Sequence, residues 1–355
     1  MVKFLTLDDV DVSGKTVIVR PDFNVPIDPS TGEIIDDTRI REHATTIKEL
    51  VEKGAKVVVI AHQGRPGEPE FTESLEKHAK ALEKALGRPV KYVHDLYGPE
   101  AKEAIKALKP GEVLVLKNVR TFPEETKKKS PEEHAKSELV RELAPLADLF
   151  VLDGFSVAHR PHASVVGFAA VLPAVAGRVM ERELKSLEKA LEKPEKPCIY
   201  VLGGAKAEKC VDIIRYVLEK GIADKVLTGG LVGHLFLKAK GVELGRPSDE
   251  VLEKKGLAGL VDAMREILKA FPGKIEVPVD VACEVEGRRE EKPVEALPVE
   301  APIMDIGSRT AEAYSSMIKE AKSVVVSGPL GVYEKDLFAE GTRKVFGAIA
   351  ESTAF

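Results

Sequence analysis

Asp153-Gly-Phe-Ser-Val-Ala-His-Arg-Pro-His-Ala-Ser-Val-Val-Gly167 is the stretch on which the fold turns. An apolar run, Leu149-Phe-Val-Leu152, leads into it between Asp148 and Asp153, and reads as a buried strand. Beyond Asp153 the chain loses any clear period while carrying Gly154, Gly167, His159, Arg160 and His162. A strand that opens into a loop with three potential cations is where a parallel α/β sheet receives an anionic ligand. The plain alternative is a surface loop with scattered polar residues. After this stretch the pattern turns into one long helix, so it also marks a domain boundary.

Working back towards the N-terminus, the same grammar recurs. Thr16-Val-Ile-Val-Arg20 is a short strand followed by Pro21-Asp-Phe-Asn-Val-Pro26, where a proline at each end leaves Asp22 and Asn24 on a stiff loop. A turn with Asx caps is the plain alternative. Ile40, His43, Ala44, Ile47, Leu50 and Val51 then mark one face of a helix that Gly54 stops. Ala55–Ala61 is a second buried strand, running into His62-Gln-Gly-Arg-Pro66. Helices over 73–86 and 101–108 alternate with strands over 90–93 and 112–117, the last followed by Asn118-Val-Arg-Thr-Phe122. Ser130-Pro-Glu-Glu133 starts a further helix with a capping box, expected to run to Leu143. Repeated β-α units with near-continuous apolar strands predict a parallel sheet covered on both faces. Its strand ends bring Asp22, Asn24, His62, Arg65, Arg120, His159, Arg160 and His162, a set suited to a phosphorylated anion.

At 355 residues two domains are expected, and 44% apolar with 31% charged residues is a soluble globular composition. A net charge of -5 gives no argument for nucleic acid or membrane, and no apolar run is long enough to span a bilayer. The acidic N-terminal segment is not a signal peptide. Three widely spaced cysteines, Cys198, Cys210 and Cys283, speak against a disulfide framework or zinc site and fit a reducing cytosol.

Towards the C-terminus, Met180, Leu184, Leu187 and Leu191 form one stripe on a charged helix, the expected connector, ended by Pro194 and Pro197. Cys198-Ile-Tyr-Val-Leu202 then restarts the strand pattern and meets Gly203-Gly-Ala-Lys206, two glycines and a lysine opening a helix, as a phosphate cradle requires. Neither the Walker nor the dinucleotide glycine pattern is present. Lys225-Val-Leu-Thr-Gly-Gly230, Lys274–Asp280 and Val324-Val-Val-Ser-Gly-Pro-Leu-Gly-Val-Tyr-Glu334 supply three more strands. Glycine-lined strand ends suit a nucleotide. Residues 284–301, rich in Glu, Arg, Lys and Pro, are expected to be a solvated loop or hairpin.

The chain resembles the phosphoglycerate kinases, the archaeal type best. The motifs that carry the resemblance are Val19-Arg-Pro-Asp-Phe-Asn-Val-Pro26, Asp37-Thr-Arg-Ile40, His62-Gln-Gly-Arg-Pro66, Asn118-Val-Arg120, Ala158-His-Arg-Pro-His-Ala-Ser164, Leu202-Gly-Gly-Ala-Lys206, Pro278-Val-Asp280 and Gly328-Pro-Leu-Gly-Val-Tyr-Glu334, in that family's order. It implies two Rossmann-like α/β domains with a cleft between them: a 3-phosphoglycerate-binding domain over 1–172, a connecting hinge helix over 173–193, and a nucleotide-binding domain over 194–355. The implied reaction is reversible phosphoryl transfer between 1,3-bisphosphoglycerate and ADP, with Mg2+ carried by the nucleotide and no protein metal ligand. Asp22, Phe23, Asn24, Arg39, His62, Gln63, Gly64, Arg65, Arg120 and Arg160 are the implied substrate residues, with Arg39 nearest the transferring group and Lys206 also catalytic. Gly203, Gly204, Ala205, Lys206, Gly229, Gly230 and Glu334 are the implied nucleotide residues. A cytoplasmic monomer that binds neither nucleic acid nor membrane is implied too.

Three departures stand against that pattern. Lys209 follows the Gly-Gly-Ala-Lys motif one residue closer than the family's second lysine, and Ser327 stands where an asparagine is usual. The family also continues past the position of Phe355 with a strand and a glycine-rich loop, so the nucleotide domain reads as truncated. The resulting rival is a 3-phosphoglycerate-binding protein without turnover. A different α/β kinase or a dehydrogenase is the more distant rival, and it lacks its glycine fingerprint here.

Overall fold

Five consecutive buried residues, Thr16–Arg20, make the first strand of a parallel sheet, which only a sheet covered on both faces can accommodate. The computed structural model describes residues 4–192 and 194–355. These fall into two compact units, Met1–Ser186 and Leu187–Phe355.

In the first unit β1 (Thr16–Arg20), β2 (Lys56–Val59), β3 (Val90–Tyr92), β4 (Val113–Val115), β5 (Leu149–Leu152) and β6 (Ala174–Ala176) form one sheet. The spatial order is β3-β4-β2-β1-β5-β6, and every pairing is parallel. Alternate residues point to opposite faces. Val17, Val19, Val57, Val59, Val113 and Val151 pack against the helices Thr38–Glu52 and Glu76–Leu86. Ile18, Val58, Leu114 and Phe150 pack on the other face with Ile105 and Leu139, from the helices Pro99–Lys106 and Glu138–Leu143. The chain winds from β1 one way to β2 and the other way to β5, so the strand order reverses at β1 and opens a crevice beyond its C-terminal end.

The capping box at Ser130 and Glu133 forms, but the helix it starts is short. It stops at Ala135, and a second helix, Glu138–Leu143, begins after Ser137. The Ser137 hydroxyl donates to the His134 carbonyl at 2.6 Å and its backbone turns extended, so one expected helix becomes two.

The long helix Arg178–Leu191 passes from the first unit into the second. Of its expected stripe Met180 is buried, whereas Leu187 and Leu191 are 40% and 37% exposed.

The second unit holds β7 (Cys198–Leu202), β8 (Lys225–Thr228), β9 (Ile275–Glu276), β10 (Asp280–Val285), β11 (Arg288–Pro293), β12 (Ile303–Ile306) and β13 (Ser323–Ser327). Its main sheet is parallel, in the order β13-β7-β8-β9. Cys198, Tyr200 and Leu202 face one core layer; Ile199 and Val201 face the other. A second, antiparallel sheet runs β11-β10-β12.

The single strand expected over 274–280 is split between the two sheets. Pro278 lies between β9 and β10 and has no N–H for a ladder. The charged segment that follows is a hairpin, turning at Glu286 (φ 48°) and Gly287 (φ 74°) as a two-residue turn with both central φ angles positive requires. It is anchored, since Arg289 is mostly buried and donates to Asp305 Oδ2 at 2.9 Å and to the carbonyls of Leu337 and Ile306 at 3.0 Å. All three cysteines are buried and free.

Candidate functional site

At the C-terminal end of the first sheet the loops after β1, β2, β4 and β5 enclose a hollow of about 430 Å³. Asp22, Asn24, Arg39, His62, Gly64, Arg65, Arg120 and Arg160 line it, with Glu68, Glu70, Ser156 and Val157. Asp22 is buried and its carboxylate is well supplied: Arg39 donates to Oδ2 at 2.7 Å, Ser156 Oγ to the same oxygen at 2.5 Å, and the Asn24 N–H to Oδ1 at 3.1 Å. Asn24 Oδ1 accepts from the Gly64 N–H at 2.8 Å, tying the first loop to the second. Arg120 donates to the Gly64 carbonyl at 2.8 Å, tying the second to the third.

Two cationic groups in the hollow keep unused capacity. The Arg120 Nε is buried without a partner, and the Arg160 side chain makes no hydrogen bond or ion pair with any described residue. Burial, with Arg160 and Arg65 beside it, lowers the Arg120 pKa from its ordinary value. Burial and the neighbouring Arg20, Arg120 and Arg160 hold His62 far below the ordinary imidazole value, so it faces the hollow as a neutral ring. His162 is pushed down to about 4 for the same reasons. A bound anion would relieve this crowding of like charge.

Phe23 and Gln63 behave differently from their neighbours in sequence. Phe23 is fully buried beside His43, with ring centroids 6.3 Å apart. Gln63 is also fully buried and spends its amide on the chain: it donates to the carbonyls of Val25 and Glu70 and accepts from the Val25 N–H and His78 Nε2. Neither lines the hollow. His159 is exposed and outside it as well.

Arg20 and Ser156 were not singled out from sequence. Arg20 is buried behind the cluster, donating to Ser164 Oγ at 2.8 Å and standing 3.2 Å from His62 Nδ1. Ser164 in turn donates to the buried Glu125. The position of Arg20 at a strand end, like the other strand-end cations, was the signal available.

In the second unit the loop Gly203–Lys206 leaves β7 and opens the helix Ala207–Glu219. Gly203 N–H donates to the Ser327 carbonyl at 2.8 Å, and Gly204 N–H to the Pro329 carbonyl at 2.7 Å. A Cβ on Gly203 would lie 2.2 Å from the Pro329 oxygen, so only glycine lets the two loops approach this closely. Gly229 caps the helix Gly230–Ala239, and a Cβ on Gly230 would lie 2.8 Å from the Gly204 nitrogen. Lys206 and Ala205 are exposed, and the Lys206 amine has no partner among the described residues.

Gly204, Ala205 and Gly230 form one border of a hollow of about 330 Å³, which continues over Leu231, Val251, Pro278, Val281, Ile303 and Leu330 to Tyr333 and Glu334. Glycine and backbone at one end, an apolar slot behind and a carboxylate at the exit match what phosphates, a flat ring and a ribose need. Gly203 and Gly229 lie beneath this border rather than on it. Lys209 and Ser327 are exposed and do not line it. Among the described residues no three His, Cys, Asp or Glu side chains gather as a metal site.

The family model described as phosphoglycerate kinase matches residues 7–355. A protein of that name from Methanothermobacter thermautotrophicus is 48% identical over 353 residues, which is 99% of this chain and 85% of the relative. One from Saccharolobus solfataricus is 47% identical over 350 residues, with 99% and 85% covered. The crystal structure of the Pyrococcus horikoshii phosphoglycerate kinase superposes with a TM-score of 0.86 at 43% identity, covering 99% of this chain and 87% of that one.

Proposed function

The chain belongs to the phosphoglycerate kinase family, and from that premise we propose how its two hollows divide the reaction. It is a kinase of glycolysis that moves a phosphoryl group reversibly between 1,3-bisphosphoglycerate and ADP, giving 3-phosphoglycerate and ATP. Near-full-length relatives of that name favour this over a turnover-free binding protein.

The first hollow takes the glycerate. Asp22 and Asn24 hold the glycerate hydroxyl end, Arg65, Arg120 and Arg160 neutralise its negative charge, and the neutral His62 ring completes the cluster as a hydrogen-bonding group. Arg39, half exposed and hinged on Asp22, is the side chain free to follow the transferring group. Gly64 contributes backbone, while Phe23 and Gln63 shape the loops from behind. The second hollow takes the nucleotide: Gly204, Ala205 and Gly230 make the phosphate border with Gly203 and Gly229 supporting it from beneath, Lys206 supplies charge, and Glu334 meets the ribose. Mg2+ enters as part of the nucleotide substrate.

The substrate carboxylate is ionised at neutral pH, so the chemistry needs no general base. It needs two anions in line and charge neutralised around a loose transition state, with water kept out. The observation that carries this reading is the Arg120 Nε and the Arg160 guanidinium, both left without a partner among the described residues, in a hollow already crowded with positive charge. Both half-sites lie on one chain, which supports action as a monomer. No helix among the described residues is long and apolar enough to cross a membrane, and the soluble family supports a cytoplasmic place.

A coupled assay with MgATP and 3-phosphoglycerate tests the reading, alongside calorimetry with each ligand alone. Turnover at roughly 1–100 per second is expected. Arg160→Ala should abolish 3-phosphoglycerate binding and leave nucleotide binding intact; the converse would exchange the two assignments.

A further inference from the structure

We propose that His234 reads the nucleobase, through a hydrogen bond from its imidazole to the edge of the purine in the second hollow. The inference rests on that hollow being the nucleotide site. His234 lines it from the helix Gly230–Ala239, with Gly230 and Leu231, the i, i+1, i+4 positions of one helix face. At 1.5 Å per residue it stands about 6 Å beyond Gly230. Gly230 belongs to the phosphate border, so the imidazole sits past the phosphates, at the depth of the sugar and base.

The ring is buried, and its Nδ1 has no hydrogen-bond partner. Its Nε2 has none either among the described residues. A buried Nδ1 with no partner costs free energy, while Nε2, which is not sealed off in the same way, is left open to a ligand. The other polar side chains of the hollow do not share this property. Asp305 is engaged by Arg289 and the Gly341 N–H, while Lys255 and Glu334 are exposed. Burial pushes the His234 pKa down to about 4, with Asp249 opposing weakly, so near pH 7 the ring is neutral. A neutral imidazole offers one N–H donor and one nitrogen acceptor, the complement of a purine edge that presents both.

The test pairs His234→Leu and His234→Gln with ADP analogues that each lack one edge group: 1-deaza-ADP, 7-deaza-ADP and the 6-deamino diphosphate. Affinities come from calorimetry on the full chain. His234→Leu should weaken MgADP by about three- to tenfold, the worth of one hydrogen bond, and His234→Gln should recover part of it. At least one analogue should bind worse than ADP to the wild type and equally well to His234→Leu, because base group and imidazole then act as one pair. Without nucleotide, His234→Leu should melt no lower than the wild type. Glu334→Ala separates the two levels of the argument. If it weakens ADP while every analogue keeps its penalty in His234→Leu, the imidazole only packs and the inference falls. If neither Glu334→Ala nor His234→Leu alters ADP binding, the hollow is not the nucleotide site and the reading beneath the inference falls.

Discussion

His43 Nδ1 lies 2.6 Å from Asp153 Oδ2, and both side chains are buried. The other ring nitrogen accepts the backbone N–H of Asp22 at 3.2 Å. The other Asp153 oxygen accepts Thr46 Oγ and the Val179 N–H, at 2.9 and 3.0 Å. One imidazole thus ties the loop that carries Asp22 to the first turn of the helix that runs on into the second unit. His43→Leu strips one partner from each side. It should destabilise the first unit by about 3 kcal/mol and raise the KM for 3-phosphoglycerate, leaving the nucleotide KM unchanged. Chemical unfolding and steady-state kinetics check both parts.

Arg39 is held by Asp22 yet remains half exposed. A group that contacts the transferring phosphoryl only in the transition state contributes to turnover more than to binding. Arg39→Ala should lower kcat by about a hundredfold or more, with a far smaller change in the 3-phosphoglycerate Kd. Equal losses in the two would give Arg39 a ground-state role.

Lys206 opens the Ala207–Glu219 helix with an exposed amine that has no partner among the described residues. Its removal leaves the fold within about 0.5 kcal/mol of the wild type. Lys206→Ala should weaken MgATP and leave 3-phosphoglycerate affinity unaltered, as calorimetry with each ligand would show.

Gly203→Ala sets a Cβ 2.2 Å from the Pro329 carbonyl oxygen, an atom of the backbone that cannot swing aside. The two loops must part, at a cost of about 1–3 kcal/mol in the second unit. Nucleotide binding should fail while the first hollow still takes 3-phosphoglycerate.

Burial pushes His78 down to about 4, its neutral ring bonding Gln63 Oε1 through Nε2 at 3.0 Å. The unfolded imidazole titrates near 6.5. Between those values the unfolded chain binds the extra proton, so this group's contribution to stability is present above about pH 6.5 and is lost as pH falls towards 4. His78→Gln should flatten the decline by up to about 1.4 kcal/mol per pH unit across that window, read from urea unfolding at a series of pH values. Parallel curves for the two proteins would show that His78 does not drive the decline.

The alternation of buried strands with amphipathic helices was legible because burial on both faces leaves an unbroken apolar run, as in Val17–Val19 and Val57–Ala61. Asp22, Asn24, His62, Arg65, Arg120 and Arg160 were legible because a parallel sheet gathers its strand ends. Phe23 and Gln63 sit within the same motifs but point inward, and nothing in a loop sequence records that direction. Arg20 looked like the last residue of a strand, and only the packing of Ser164 and Glu125 shows it to be the buried floor of the basic cluster. His234 lies mid-helix among apolar neighbours, where periodicity alone reads it as core. Ser137 broke a helix through a hydroxyl bond that helix propensity does not foresee.

The three cysteines bear on how the protein can be handled. Cys198, Cys210 and Cys283 are buried, and burial raises all three thiols, Cys198 to about 11. Near neutral pH they stay protonated and out of reach, so towards a maleimide the folded chain behaves as if it had no cysteine. A single thiol introduced on the surface of each unit would take a fluorophore selectively with every native residue left in place. Energy transfer between the two dyes would then follow the separation of the units through a catalytic cycle.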